Sequence, residues 1–530
     1  MTSLYQYLPL RTRHSIRVLE LSPSHFGEPH IHCKIRYTHI GAARDTFEAL
    51  SYTWGDPTPC RTIYCDESNA GLEVPLNCYI ALRHLRDTKA TRTLWIDAIC
   101  INQHDEQERN SQVKIMGEIY SAAGNTIVFL GDSTPGSQTL FRHLARTDRH
   151  MSFGHGSESL RKPRKEIISE LENLFKRTWF SRVWVIQELL KSSRVTFMCG
   201  RDTATLKALQ SCLYRHQQNK RAFAIIPVPL QLYDDHFKCL LEEKLTPFQR
   251  LYLFTVGADS CESTDTRDRI IALTPLIAVQ PPELQNLINY DQSVNELFHK
   301  LALLFLSEGG LAILWMIRHP RPEDRSEERL PSWVPDWAEG KGRSYRLQQI
   351  PDFFSVYRLS RDFRDFYVDS AKRLLVIRGV RYGYVHELGP VIRISQEDVQ
   401  TRIEAVRALV ADLYAMVNGN ALPGWPHSII HDEESTSNIA VGWNDTRVFI
   451  NSNGVLGRCP KEAQRGDLVV LVNGALEPCI LRERDDNQWT IISGNCVLLD
   501  IELSFMERGR LWPWLYVYHN FWGEEKFTIC

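Results

Sequence analysis

Apolar residues recur at alternating positions from Ser15 to Leu21 and from His30 to Tyr37, with Pro23 and Gly27 between, and this period of two predicts a strand pair. A third strand is expected from Phe47 to Tyr52. It stops at Trp54-Gly55-Asp56-Pro57, where glycine and proline demand a turn. The period then changes. Leu76, Ile80, Leu82 and Leu85 form a helical stripe after Pro75, and Thr93 to Cys100 reads as a short apolar strand with Asp97 inside it. Asp105-Glu-Gln-Glu108 resembles an acidic helix start, and Val113, Met116, Tyr120 and Ala123 follow at helical spacing. Thr126 to Leu130 is a strand ended by Gly131-Asp132. Ile167, Leu171, Leu174 and Phe175 mark a helix, and Trp179 to Leu190 continues or restarts it with Ser181 as N-cap. Val195 to Cys199 is the next strand.

This alternation predicts an α/β fold over residues 1–200: a parallel sheet with helices on both faces, because parallel strands need crossover connections. Met151 to Arg164 reads as a long surface loop within it. Residues 201–330 are mainly helical in pattern, with the stripe Phe298, Leu301, Ala302, Phe305 and Leu306. A boundary is expected near the charged run Arg321 to Arg329 and the proline-broken Leu330 to Trp337. Residues 331–530 read as β-rich. Short strands at Leu374–Gly379, Arg447–Ile450, Asp467–Asn473, Cys479–Arg484 and Trp489–Ile492 are separated by turns such as Asn453-Gly454 and Asn473-Gly474, and one helix, Val399 to Met416, is inserted. A small sandwich or barrel is expected there.

At 530 residues the chain is long enough for two or three cores. Its 43% hydrophobic and 24% charged residues exclude global disorder. Lys plus Arg total 62 against 64 Asp plus Glu, which disfavours nucleic acid as a partner. The 13 cysteines are irregularly spaced, and Met1 to Leu21 is interrupted by charges, so a reducing, cytoplasmic setting is expected. The longest apolar runs, Leu301–Leu306 and Leu311–Ile317, are broken by Ser307, Glu308 and two glycines, so no membrane span is expected. Cys60 and Cys65 have no companion Cys or His pair at zinc spacing, and no His-Glu-x-x-His, Walker or Gly-x-Gly-x-x-Gly motif appears, which leaves metal, nucleotide-hydrolase and dinucleotide-fold readings without support.

Three longer segments carry a resemblance. Phe47-Glu-Ala-Leu-Ser-Tyr-Thr-Trp-Gly55, Leu94-Trp-Ile-Asp-Ala-Ile-Cys-Ile-Asn-Gln103 and Arg177-Thr-Trp-Phe-Ser-Arg-Val-Trp-Val-Ile-Gln-Glu188 together resemble the signature of the fungal HET (heterokaryon incompatibility) domain, with a core at about residues 47–190. Arg267 to Leu273, Leu330 to Trp337 and Gly466 to Val470 resemble segments that recur in full-length members. The resemblance implies an effector of programmed cell death after non-self recognition, working with other incompatibility or immune-receptor proteins and self-associating on activation. A second similarity is to TIR domains of innate immunity. Leu50-Ser-Tyr-Thr-Trp-Gly-Asp56 resembles their first strand and loop, and Trp184-Val-Ile-Gln-Glu-Leu189 their Trp-x-x-x-Glu-Leu segment. That similarity implies a TIR/flavodoxin-like sheet. The long Ser133 to Lys176 stretch departs from the TIR pattern.

The TIR resemblance nominates Glu188 as the catalytic residue of an NAD glycohydrolase, with NAD as substrate and no resident cofactor. One carboxylate is chemically adequate, because nicotinamide leaves the oxidised dinucleotide as a neutral molecule and only the oxocarbenium-like ribose needs stabilising. In a doubly wound sheet ligands bind beyond the carboxyl ends of the strands. There Tyr52 or Trp54 would stack on a base, Gly55 would shape the turn, and Asp97 or Asn102 would bind ribose hydroxyls. The plainer readings stay open: Glu188 as a salt-bridge partner of Arg182 or Lys191, Trp179, Phe180 and Trp184 as packing, Arg177 and Arg182 as solvated charges, and the domain as a non-catalytic adaptor. Cys100 with His104 as its base is less favoured than a buried structural cysteine.

Overall fold

The computed structural model describes residues 4–24, 30–56, 58–65, 70–152, 165–217, 226–233, 245–277, 281–317, 330–338, 366–392, 445–475, 477–484, 487–498 and 525–530. The expected helix Val399–Met416, the charged run Arg321–Arg329 and most of the expected loop Met151–Arg164 lie outside the described residues. The chain divides into two compact units, Met1–Asp291 and Gln292–Cys530.

The first unit is built on strands β1 (Ser15–Leu21), β2 (His32–His39), β3 (Glu48–Tyr52), β4 (Cys60–Cys65), β5 (Ala70–Pro75), β6 (Arg92–Trp95), β7 (Asn125–Phe129), β8 (Val195–Cys199) and β9 (Asp202–Thr205). They form one nine-stranded sheet in the order β5-β4-β2-β1-β6-β3-β7-β8-β9. The expectation of a parallel sheet is corrected to a mixed one. β6, β3, β7 and β8 pair in parallel, whereas β1 pairs antiparallel with both β2 and β6, and β9 antiparallel with β8. The physical reason is connection length. β1–β2, β4–β5 and β8–β9 follow one another too closely for a crossover, while helices lie between β3, β6, β7 and β8 in the chain; β2 and β4 also pair in parallel, with β3 between them.

The helices of this unit are α1 (Leu76–Leu85), α2 (Asp97–Cys100), α3 (Glu106–Ala122), α4 (Pro135–Ser152), α5 (Lys165–Phe175), α6 (Trp184–Lys191) and α7 (Leu206–Gln217), with shorter helices after α7. One face of the sheet packs Leu50, Tyr52, Ile127 and Phe129 with Cys78 and Leu82 of α1. The opposite face packs Ala49 and Trp95 with Ile115 and Ile119 of α3, and Val128 and Phe197 with Val185 and Leu189 of α6. Alternation along each strand places these residues on opposite faces. Two expectations need correction. Asp97 opens the one-turn helix α2 instead of sitting inside a strand, and Ser181 does not cap α6; its hydroxyl bonds Thr178 O and Glu262. Between β7 and α5 the chain also forms α4, which the sequence pattern did not mark. The N-terminus of α3 is as expected, with Asp105 capping Glu108 N at 3.0 Å.

One charged residue is enclosed within β1. Arg17 has no exposed surface, and its guanidinium meets both Glu108 oxygens (2.5 and 2.9 Å), Cys100 O (3.0 Å) and Leu8 O (2.7 Å), with the rings of Tyr7 and Tyr37 at 4.8 and 5.0 Å. It ties the N-terminal segment, β1 and α3 together.

The second unit combines the helix Val294–Gly309, capped by a Ser293/Glu296 box, with nine strands among the described residues, including β10 (Phe366–Asp369), β13 (Leu456–Pro460) and β17 (Val497–Leu498). Val294–Met316 is long and apolar enough to cross a membrane, and 67% of its most apolar window is buried, as in a core helix. Strand β11 (Leu374–Ile392) organises the sheet. It pairs with β18 (Glu525–Ile529) and β14 (Leu468–Val472). β15 (Cys479–Glu483) and β16 (Gln488–Ser493) complete the circuit from β14 back to β18, so five strands close into a barrel. Beyond a bulge between Arg381 and Tyr384, where Gly383 takes φ 111°, β11 leaves the barrel to pair with β12 (Thr446–Asn451). The predicted turns form at Gly454 and Gly474, both at φ 79°.

Candidate functional site

β3, β6 and β7 run in parallel, so Thr53–Gly55, Ile96–Asp97 and Leu130–Asp132 emerge at one end of the sheet. Numbered in chain order, the parallel strands are arranged 2-1-3-4, and the direction of winding reverses between β3 and β7. The Arg177 guanidinium holds the β7 loop by donating to Leu130 O and, at 3.3 Å, to Asp132 O. Arg177 is therefore not the solvated helix charge that remained open from sequence. Thr178 Oγ1 meets Thr53 Oγ1 at 3.4 Å, closing α6's leading turn onto the β3 loop.

Glu188, on the inner side of α6, is 5% exposed. The surface salt-bridge reading is thereby excluded. Its carboxylate accepts the Ser51 hydroxyl from β3, and Ser51 Oγ in turn accepts the Trp179 indole N–H at 2.7 Å. Burial pushes the Glu188 carboxyl up to about 7. The positive charge of Arg182 and the Ser51 hydrogen bond oppose that rise, and the negative charge of Asp97 adds to it. Arg182 is anchored at 2.5 Å on Tyr52 O and carries the positive charge beside the site. Asp97 is also raised above the usual carboxylate range by burial, against Arg182 and the Trp54 indole N–H that it accepts at 2.8 Å. Glu188, Asp97 and Arg182 all act electrostatically on the buried Tyr120 hydroxyl of α3, so the four groups share one region.

Of the nominated residues, Glu188, Asp97 and Trp54 converge here. Tyr52 gives its carbonyl to Arg182, and its buried hydroxyl feels the charges of Asp97 and Arg182. Its ring is 2% exposed and lies beside the Cys78 thiol in the α1-facing core, which leaves no open face for base stacking. Gly55, at φ 74°, closes on the Asn77 amide, where an added Cβ would lie 2.5 Å from Nδ2. The structure does not bring Asn102 to Glu188. Its Oδ1 accepts His104 N at 3.3 Å and its N–H bonds Glu108, so it serves the entry to α3. Cys100 is fully buried, receives the Ile96 N–H and is pushed up to about 12 by burial, as a structural thiol would be.

Ser51 and Tyr120 were not singled out for this role, whereas Arg182 was one of the charge partners the sequence offered Glu188. The available signal was Ser51, a small hydroxyl on the inward face of an otherwise apolar strand. Ser51→Ala is expected to cost roughly 1–3 kcal/mol, because it strips a partner from both the Trp179 indole and the Glu188 carboxyl. A lowered urea midpoint with unchanged slope would report it.

A second polar cluster sits one turn earlier on α6. Trp184 and the Tyr290 hydroxyl (2.5 Å) hydrogen-bond Asp268, which burial raises to about 6, and Arg109 and Arg267 stand 5.1 and 5.2 Å from the Tyr290 ring centre. It anchors the helix that presents Glu188.

The residues that assemble this cluster, Phe47 to Glu188, lie in a mixed α/β unit and carry a HET domain. The family model described as heterokaryon incompatibility protein (HET) matches residues 47–188, from the start of the first motif to Glu188. Among curated proteins, heterokaryon incompatibility protein 6, OR allele, of Neurospora crassa is 26% identical over 452 residues, covering 72% of this chain. The match spans 65% of that relative's length. No solved structure matches.

Proposed function

We propose that the chain is an effector of heterokaryon incompatibility, triggering cell death after non-self recognition, and that its HET domain is a TIR-like module that cleaves NAD through Glu188. The incompatibility role is supported by the HET match and by the name of the Neurospora relative. The TIR-like reading is supported by the 2-1-3-4 order of the parallel strands, which is the leading part of the flavodoxin-like order. The single observation that carries the chemistry is a carboxyl titrating near neutrality beside the winding reversal, with its proton acceptor held by Ser51. In the ionised form it would stabilise positive charge on the ribose as the C1′–N bond breaks. The bonding pair leaves with neutral nicotinamide, and water completes the ribose.

A specific observation favours the rival adaptor reading: at 5% exposure the carboxyl is enclosed. Catalysis therefore requires the Trp54–Asp97 bond or the Arg182 anchor to open, and self-association is the proposed trigger. The test uses the full chain, dilute and concentrated, with oxidised NAD. Nicotinamide release that rises with assembly is the expected result. Absence of release from protein taken from cells in which its overexpression causes death would leave the adaptor reading. Normal growth and membrane integrity on overexpression with an incompatible partner would remove the death role itself.

A further inference from the structure

A different chemistry lies at the other side of the first sheet. β2 and β4 pair in parallel with Cys33 directly opposite Cys65, and the two Sγ atoms are 3.4 Å apart. Adjacent strands stand about 4.8 Å apart, inside the Cα separation that a disulfide spans. Closing the bond therefore needs side-chain rotation and less than two ångströms of sulfur movement, with no change of register. Cys60, exposed on the same strand, stands opposite Pro75 of β5.

We propose that Cys33 and Cys65 are a redox modification site, oxidised to an intramolecular disulfide by hydrogen peroxide. Cys33 is 5% exposed and Cys65 fully buried, so Cys33 reacts first. Its thiolate attacks one peroxide oxygen, the O–O bond breaks, and hydroxide leaves to give water with the thiol's proton and a sulfenic acid on Cys33. The Cys65 sulfur then attacks the Cys33 sulfur, and the S–O bond breaks with release of a second water. Two thiols lose two electrons and one peroxide becomes two waters.

The bond has a consequence for the site. The covalent ring it closes runs from Cys33 to Cys65 and contains β3 and the Thr53–Trp54–Gly55 loop. Tying those ends restricts the unfolded chain over that ring, and it restrains the loop whose Trp54 holds Asp97. The oxidation itself does not depend on NAD cleavage.

The experiment treats the reduced full chain with hydrogen peroxide, denatures it, alkylates the remaining thiols and maps tryptic peptides by tandem mass spectrometry. Trypsin cuts after Lys34 and Arg61, which separates Cys33, Cys60 and Cys65. The expected product is a Cys33–Cys65 link that disappears on reduction, while Cys199, buried against Ser137, stays fully alkylatable. The oxidised chain should also melt at higher temperature than the reduced one, a shift absent from Cys65→Ser. Recovery of both cysteines as alkylated thiols, a link through Cys60 in place of Cys65, or sulfinic acid on Cys33 without a link would each overturn the proposal.

Discussion

On the proposed mechanism, Glu188→Gln is expected to lower NAD cleavage by roughly 100- to 1,000-fold, the loss typical when one preorganised charge at the transition state is removed. The same change should stabilise the fold at alkaline pH. Glutamine has nearly the same shape and can still accept the Ser51 hydroxyl, so the Trp179–Ser51 link survives. What disappears is the cost of ionising a buried carboxyl. The folded chain holds this proton up to about pH 7, against 4.5 for the ordinary group, so the native state binds more protons than the unfolded state between those values. Wild-type stability therefore falls as pH rises through that window, by roughly 3 kcal/mol at most, and the glutamine variant does not share the fall. Denaturation midpoints of the two proteins should converge near pH 4 and separate near pH 8, with the variant higher. The proposed mechanism needs the ionised form, so it predicts that wild-type turnover climbs with pH through about 7. A variant that retains wild-type nicotinamide release would remove Glu188 from the chemistry, and equal midpoints at pH 8 would contradict its buried ionisation.

The second large effect concerns Arg17. Alanine there leaves Glu108 buried without its guanidinium and frees the carbonyls of Leu8 and Cys100, so a loss of about 3–5 kcal/mol is expected. Set against a typical domain stability of roughly 5–15 kcal/mol, that brings the first unit close to unfolding at ambient temperature. Arg17→Met combined with Glu108→Leu should recover much of the loss, because the desolvation cost of both ions is removed together. Urea unfolding followed by tryptophan fluorescence separates these outcomes. A single alanine variant within 1 kcal/mol of wild type would mean that the buried pair contributes little.

How far the fold was legible follows from which interactions are local. β1, β3, β7 and β8 fell within a residue or so of their predicted bounds, because alternation and the Gly-Asp or Gly-Pro stops act over a few residues. α3 was readable from its cap and its stripe. The β4–β5 hairpin was missed. β4, Cys60–Cys65, carries polar residues on an outer strand, and its burial pattern, exposed up to Ile63, leaves no apolar alternation to read. α4 was missed because its first turn, Pro135-Gly-Ser, reads as loop. The tight entry to α2 was misread because Ile96 and Ile99 look like strand residues, although both turn into the α1-facing core.

By itself the sequence determined much of the succession of strands and helices in the first 200 residues, a property of neighbouring side chains and backbone preference, and its resemblance to TIR domains nominated Glu188. Tertiary structure decided what those elements do to one another. Strand direction became mixed because pairing depends on what each connection can span. Glu188 became a buried group near neutrality because the folded sheet desolvates it, a rise that Arg182 and Ser51, 137 residues away, oppose and Asp97 adds to. A titration point is set by desolvation and neighbouring charge, and both exist only once the sheet has closed over the helix.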